Sequence, residues 1–129
     1  MQYHDYHLKA YTVSEYGRKI TLHLSYDYPN QAKRESYIEF SDVSAYHFVH
    51  TGGSIITGIE EVSVGNLLES HGHSLSGWWR LHGGYIYWND DLMVYRSALE
   101  EKGYRGWIID SAVGFAGFVM ALNAEQKTA

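Results

Sequence analysis

Histidine is the residue type in this sequence best suited to metal chemistry, because a neutral imidazole nitrogen ligates zinc and related ions. The eight histidines include three close pairs, His4 with His7, His47 with His50, and His71 with His73. His71 and His73 are the candidate ligands, with Glu69 or His82 as a third. The alternative, which we favour, is that these are solvated loop histidines, since ligand types without known geometry define no site. We therefore expect no metal ion and no cofactor.

Catalysis by acids, bases or nucleophiles would require side chains that are not arranged here in a recognised pattern. Glu60 and Glu61 are neighbours on an expected strand and would point to opposite faces, while Asp90 and Asp91 are placed to cap a helix. Ser111 lies in D-S-A-V-G, which differs from the G-x-S-x-G motif of hydrolases. We therefore predict a non-enzymatic protein without catalytic residues.

Aromatic side chains cluster with glycines between residues 71 and 88. Trp78, Trp79, Tyr85 and Trp88 are the candidate binding residues, because Trp and Tyr bury a large area at low cost in rotamer entropy and dominate binding hot spots. The alternative is that these rings cover the core beneath a loop. The sequence leaves both interpretations open.

Composition and charge narrow the classes of partner. The chain has 129 residues, a formal net charge of −5 and no cysteine, so disulfides and thiolate metal sites are excluded. Ten basic residues spread thinly form no stripe that could follow phosphates, so we expect no nucleic acid; a basic protein or a small ligand fits the charge better. The first five residues lack the basic start of a signal peptide, and the apolar stretch Trp107–Leu122 is shorter than the ~20 residues of a membrane span. We expect a cytoplasmic protein with no membrane partner, in which this stretch is buried core.

Alternation of apolar and polar residues predicts strands in the first half of the chain. Residues 19–28 alternate with period two, and residues 6–13 form a preceding strand joined to them by a loop in which Gly17 supplies a positive φ. Pro29 ends the strand, since proline cannot donate to a ladder. Two short strands within 36–50, a turn at 51–53 and a strand at 54–59 complete an expected antiparallel meander.

The second half is predicted to contain the helices. Ser63 is a plausible N-cap of a short helix that ends at Gly72, and residues 71–84 are expected to be a surface loop. The apolar stripe of Leu92, Tyr95 and Leu99 predicts a helix over 91–102. Residues 107–109 and 118–122 are predicted as the two strands of a hairpin, with a helix over 112–121 as the rival interpretation. The predicted fold is one α+β domain over residues 1–129, mostly an antiparallel sheet of about six strands with one or two short helices.

Four short motifs carry a resemblance to a known group of proteins. They are H-D-Y-H-L at 4–8, F-S-D-V-S-A-Y-H-F at 40–48, I-E-E-V at 59–62 and S-A-V-G-F-A-G-F-V-M-A at 111–121. With these motifs the sequence resembles small bacterial proteins similar in size and build to the immunity proteins of polymorphic toxin systems, although residues 78–84 depart from their pattern. The resemblance implies an acidic α+β domain that binds and blocks another protein, with the last motif as a closing β-hairpin. It transfers no catalytic residue.

Three functions follow from the sequence as hypotheses. The first is a protein-binding module of the immunity type, whose acidity would steer it toward a basic toxin. The second is a small-ligand or metal-binding protein built on His71, His73 and His82. The third is a homodimer formed through an exposed strand edge or the aromatic cluster.

Overall fold

A computed structural model describes residues 1–128 of the chain. Its elements, in chain order, are β1 (His7–Ser14), a 3-10 turn (Glu15–Gly17), β2 (Lys19–Tyr26), β3 (Arg34–Val62), α1 (Val64–His82), α2 (Leu92–Glu101) and β4 (Arg105–Thr128). The predicted α+β class, the antiparallel sheet and the two helices are confirmed. The prediction of about six strands is wrong, because the sheet formed within residues 1–128 has four.

The four strands lie in the order β1-β2-β3-β4, and every neighbouring pair is antiparallel. β1 and β2 form a hairpin around the 3-10 turn, in which Gly17 adopts the predicted positive φ of 85°. β2 pairs with residues 34–41 of β3, and β3 then continues until its Ile55 pairs with His7 at the start of β1. The sheet therefore curls back on itself, so that β3 borders both edges of the hairpin.

β3 and β4 form one long bent ribbon in place of the predicted short strands and hairpins. They pair from Ser36 with Thr128 to Val62 with Gly106, and the register shifts between residues 50 and 55. At this point Gly53 and Gly114 adopt φ values of 75° and 80°. The predicted turn at 51–53 and the predicted hairpin over 107–122 are therefore wrong, because glycines on facing strands bend the ribbon without reversing either strand.

The ribbon separates two hydrophobic cores, one inside the curled sheet and one beneath the helices. Trp107, Ile109 and Val119 of β4 are buried in the first core, and Phe118 and Met120 in the second. Because successive side chains of a strand point to opposite faces, a strand that serves two cores must be apolar on both. This explains why both ends of the stretch 107–122 are buried, as predicted, but the prediction is wrong for its middle, where Val113 is 52% exposed.

Helix α1 begins where the sequence predicts but runs much further. The hydroxyl of Ser63 accepts a hydrogen bond from the backbone N–H of Asn66 at 3.1 Å, as an N-cap does. The helix passes the predicted stop at Gly72 and ends at His82, with Gly83 as its C-cap, so the predicted loop over 71–84 is wrong. A Cβ at Gly72 would lie 2.8 Å from Cδ1 of Leu92. This glycine allows α2 to pack closely against α1 and does not terminate the helix.

Helix α2 confirms the strongest helix prediction in the sequence. Asp91 caps it by accepting a hydrogen bond from the backbone N–H of Met93 at 3.0 Å. Tyr95 and Leu99 are completely buried in the second core, as their shared apolar stripe predicts. Across residues 1–128 the structure contains no helix of the length and apolarity that crossing a bilayer requires.

Candidate functional site

The curled sheet leaves an opening between β1 and β3. β3 meets β1 where His7 pairs with Ile55, and it meets the turn between β1 and β2 where the backbone N–H of Val43 donates to the carbonyl of Arg18 at 2.9 Å. Between these two contacts, residues 10–14 pair only with β2 and residues 45–50 only with β4, as far as the described part of the chain is concerned. Two strand edges without partners therefore border the opening.

An open groove of about 600 Å³ occupies this opening. Its walls are Tyr11, Val13, Tyr46, His47, Phe48, Trp78, His82 and Tyr85. A smaller hollow of about 270 Å³ shares Tyr46 and Tyr85 with it and extends to Tyr16 in the 3-10 turn. We call these two adjoining cavities the aromatic groove.

Several large side chains around the aromatic groove are open to solvent. Tyr16 is fully exposed, and Tyr46 and Val13 are 36% and 39% exposed. Tyr16 also has a φ of 58°, a left-handed conformation that costs a non-glycine residue about 1 kcal/mol. The tight turn thus holds a large apolar ring in water at the end of the groove.

His47 and Trp78 join β3 to α1 at the floor of the aromatic groove. Their rings stack at a centroid distance of 3.8 Å and an interplanar angle of 26°. Burial lowers the pKa of His47, and the nearby His71 lowers it further. The lowered pKa favours the neutral form of the His47 imidazole.

The four predicted binding residues divide into two pairs. Trp78 and Tyr85 are half-buried and line the aromatic groove. Trp79 and Trp88, also half-buried, stack on each other at 5.5 Å and line neither of its cavities. Trp88 packs on the second core and donates its indole N–H to Asp90, which fits the alternative interpretation of covering the core.

Tyr11, Tyr16 and Tyr46 belong to the aromatic groove but were not among the predicted binding residues. The exposure of Tyr16 could have been predicted from the sequence, since it is an aromatic residue between Glu15 and Gly17 in a predicted loop. The exposure of Tyr46 could not. Its exposure depends on a β3 edge that stays unpaired, and that follows from the path of distant strands.

The histidines proposed as metal ligands point to different places. His71 packs its ring against Phe118 at 4.7 Å, His73 lines a hollow beside Arg96, and His82 lines the aromatic groove. Within the described range, no three His, Cys, Asp or Glu side chains are grouped so that they could hold a metal ion. The prediction that His71 and His73 lie on a loop is wrong as well, because both residues lie on α1.

A second cluster of polar side chains surrounds Glu35 on β3. Its carboxylate lies 2.7 Å from Nε2 of His23 and 3.1 Å from Nζ of Lys33, and Lys9 is 3.7 Å away. Desolvation raises the pKa of Glu35, but the hydrogen bonds to Lys33 and His23 and the charge of Lys9 outweigh it and lower the pKa from 4.5 to about 2. A carboxylate held this firmly in its ionised form is unsuited to proton transfer near neutral pH.

No family model, curated protein or solved structure matches this chain. A larger open cavity of about 890 Å³ lies beside Glu35 and is lined by Tyr3 and Tyr6 among others. The exposed rings of the aromatic groove and the charge of the chain are the observations on which we base a proposal. The groove offers aromatic faces, tyrosine hydroxyls and unpaired backbone groups, all of which can bind another molecule without reacting with it.

Proposed function

We propose that this protein is a non-enzymatic protein-binding module and that the aromatic groove is its contact surface. The observation that carries the proposal is the set of exposed tyrosines around an open groove. Tyrosine is enriched at the energetic centre of protein interfaces, because its ring buries a large area while its hydroxyl remains hydrogen-bonded. Tyr16 is fully in water in a left-handed turn, where its ring is available for burial by a partner.

The charge of the chain supports a basic partner. With a formal net charge of −5, the protein attracts positively charged proteins and accelerates their encounter, an effect that added salt weakens. Together with the resemblance to immunity proteins, this charge extends the proposal to a partner that is a basic toxin blocked by binding.

Affinity capture with matched variants tests the proposal. The wild-type chain and the Tyr16→Ser/Tyr46→Ser double variant are immobilised and exposed to extract of the source organism. The matched control is Tyr87→Ser, which removes a tyrosine that is 47% exposed and has a positive φ like that of Tyr16 but does not line the aromatic groove. Bound proteins are quantified by mass spectrometry.

We expect one basic protein that the wild type and Tyr87→Ser retain and the double variant loses. Loss of two hot-spot tyrosines weakens binding by about 30-fold or more. Retention should fall with rising salt, and the purified partner should lose its own activity when the chain is added. A wild-type chain that retains nothing beyond what the double variant retains contradicts the proposal. A partner whose activity is unaffected contradicts its immunity-type part.

A small-ligand protein is the second candidate function. The groove volume of about 600 Å³ falls within the range of small-molecule sites, and the imidazoles of His47 and His82 could orient a planar ligand. Thermal-shift screening with aromatic acids tests this function, because a ligand that binds only the folded state must raise the melting temperature. The second candidate is wrong if no compound raises the melting temperature of the wild type more than that of the Tyr16→Ser/Tyr46→Ser variant.

A further inference from the structure

The wall that β3 contributes to the aromatic groove is a strand edge. Val43, Ser44, Ala45, Tyr46, His47 and Phe48 all line one or the other of its two cavities. Side chains of successive strand residues point to opposite faces, so a cavity that lies against one face contacts every second residue. The register shifts between Val43 and Ala45, but the regularly paired residues 45–48 also line the groove consecutively, so the groove runs along the edge, where backbone groups are presented.

The backbone of this edge has unused hydrogen-bonding capacity. In an antiparallel pair, alternate residues direct their N–H and C=O groups toward the partner, and the residues between them direct theirs to the other side. Residues 45–50 pair with β4 on one side, and the described chain supplies no backbone partner on the other. Just before this stretch, the backbone N–H of Val43 already has a partner, because it donates to the carbonyl of Arg18.

We propose that the partner enters the aromatic groove as an extended segment that pairs with the free edge of β3 at residues 44–48, adding a strand to the sheet. This inference rests on the proposed function and specifies how the partner binds. A segment of five or six residues matches the available edge and spans about 17–20 Å. Main-chain hydrogen bonds would hold it, as in other complexes formed by strand addition.

The lining of the groove defines the chemistry of this segment. Among the residues of 1–128 that line the two cavities, Arg18 at one end is the only one with a permanent charge, and none has a carboxylate. The other rings that line the groove are Tyr11, Trp78 and Tyr85, of which Trp78 stacks on His47 and Tyr11 packs on Phe48. The segment is therefore apolar or aromatic at alternate positions and without lysine or arginine, while the net charge of −5 acts on the rest of the partner.

The experiment uses peptides selected from a phage-displayed library of random dodecapeptides against the whole chain. Each selected peptide is synthesised unmodified and in two N-methylated forms, one methylated at odd and one at even positions. Tyr46→Lys blocks the edge with a charged side chain, and Val94→Lys places the same charge on an exposed residue of α2 outside the groove. Binding is measured by calorimetry, and hydrogen exchange of amides 44–48 by NMR.

We expect peptides with alternating apolar residues that lose binding by at least about tenfold when one alternate set is methylated and little when the other set is. Amides that point to the groove within 44–48 should become protected, and Tyr46→Lys but not Val94→Lys should abolish binding. Three results overturn strand addition: peptides that tolerate both methylation patterns, amides 44–48 that exchange at the same rate with and without peptide, or selection of no peptide that needs Tyr46.

These outcomes are separable from failure of the proposed function. If a partner is captured through Tyr16 and Tyr46 but amides 44–48 stay unprotected in the complex, the proposed protein binding stands. Strand addition is then refuted. Protection that rises with protein concentration in the absence of peptide means that a second copy pairs with the edge, which also refutes the proposed occupant.

Discussion

Replacing Gly117 by alanine tests the packing of the ribbon beneath the aromatic groove. Gly117 pairs with Phe48, and a Cβ added to it would collide with the ring of Phe48 and lie 2.7 Å from the carbonyl oxygen of His47. A ring can turn, but a carbonyl in a paired strand cannot move without breaking the ladder. Overpacking of this kind costs about 1–3 kcal/mol, so we expect the free energy of unfolding to fall by about 2 kcal/mol.

Gly58→Ala provides the matched control, because Gly58 lies in the same ribbon, has no positive φ and has nothing within 4 Å of an added Cβ. Alanine is favoured over glycine in a strand, so this variant should gain about 0.5 kcal/mol. For 129 residues, a loss of 2 kcal/mol corresponds to a fall in melting temperature of about 7 °C. Urea unfolding and calorimetry measure both variants. Equal stability of the two variants would refute the close approach of β3 and β4 at Gly117.

Three further substitutions probe other parts of the structure by urea unfolding. Tyr95→Phe should raise the free energy of unfolding by about 1 kcal/mol, because the hydroxyl of Tyr95 is buried and has no hydrogen-bond partner among residues 1–128; a loss of stability would reveal a partner. Glu35 has a lower pKa in the folded chain than in the unfolded chain, so its stabilising effect is complete above about pH 5 and declines as the pH falls from 4.5 toward 2. Glu35→Gln should flatten that part of the stability curve, and an unchanged slope would contradict the lowered pKa of Glu35. Ser63→Ala should cost about 1 kcal/mol by removing the cap of α1, whereas no change would mean that the cap is not formed in solution.

Features decided by neighbouring residues could be predicted from the sequence. The alternation in β2, the positive φ of Gly17, the cap at Ser63 and the stripe of α2 each depend on a few adjacent side chains. They were predicted correctly because backbone preference and periodicity act within one element.

Features decided by distant residues could not be predicted in this way. Gly72 resembles a helix stop until Leu92 is seen to pack against it, and Gly53 and Gly114 resemble turns until they are seen to face each other across the ribbon. The residues of the aromatic groove also divide into those that local sequence identifies and those that it does not. Trp78 and Tyr85 were selected by residue type, but Tyr46 is part of the groove only because the edge of β3 has no neighbour.

The long ribbon also governs when this protein can fold. The hydroxyl of Ser36 donates to the carbonyl of Lys127, a contact between residues 91 positions apart. Such distant pairing makes folding slow, because the chain must close a large loop before the contact contributes. During synthesis β3 can already pair with β2, but the edge of β3 that faces β4 must wait without a partner until both helices have been translated. A nascent chain of this kind depends on rapid completion or on chaperones to avoid pairing with its neighbours.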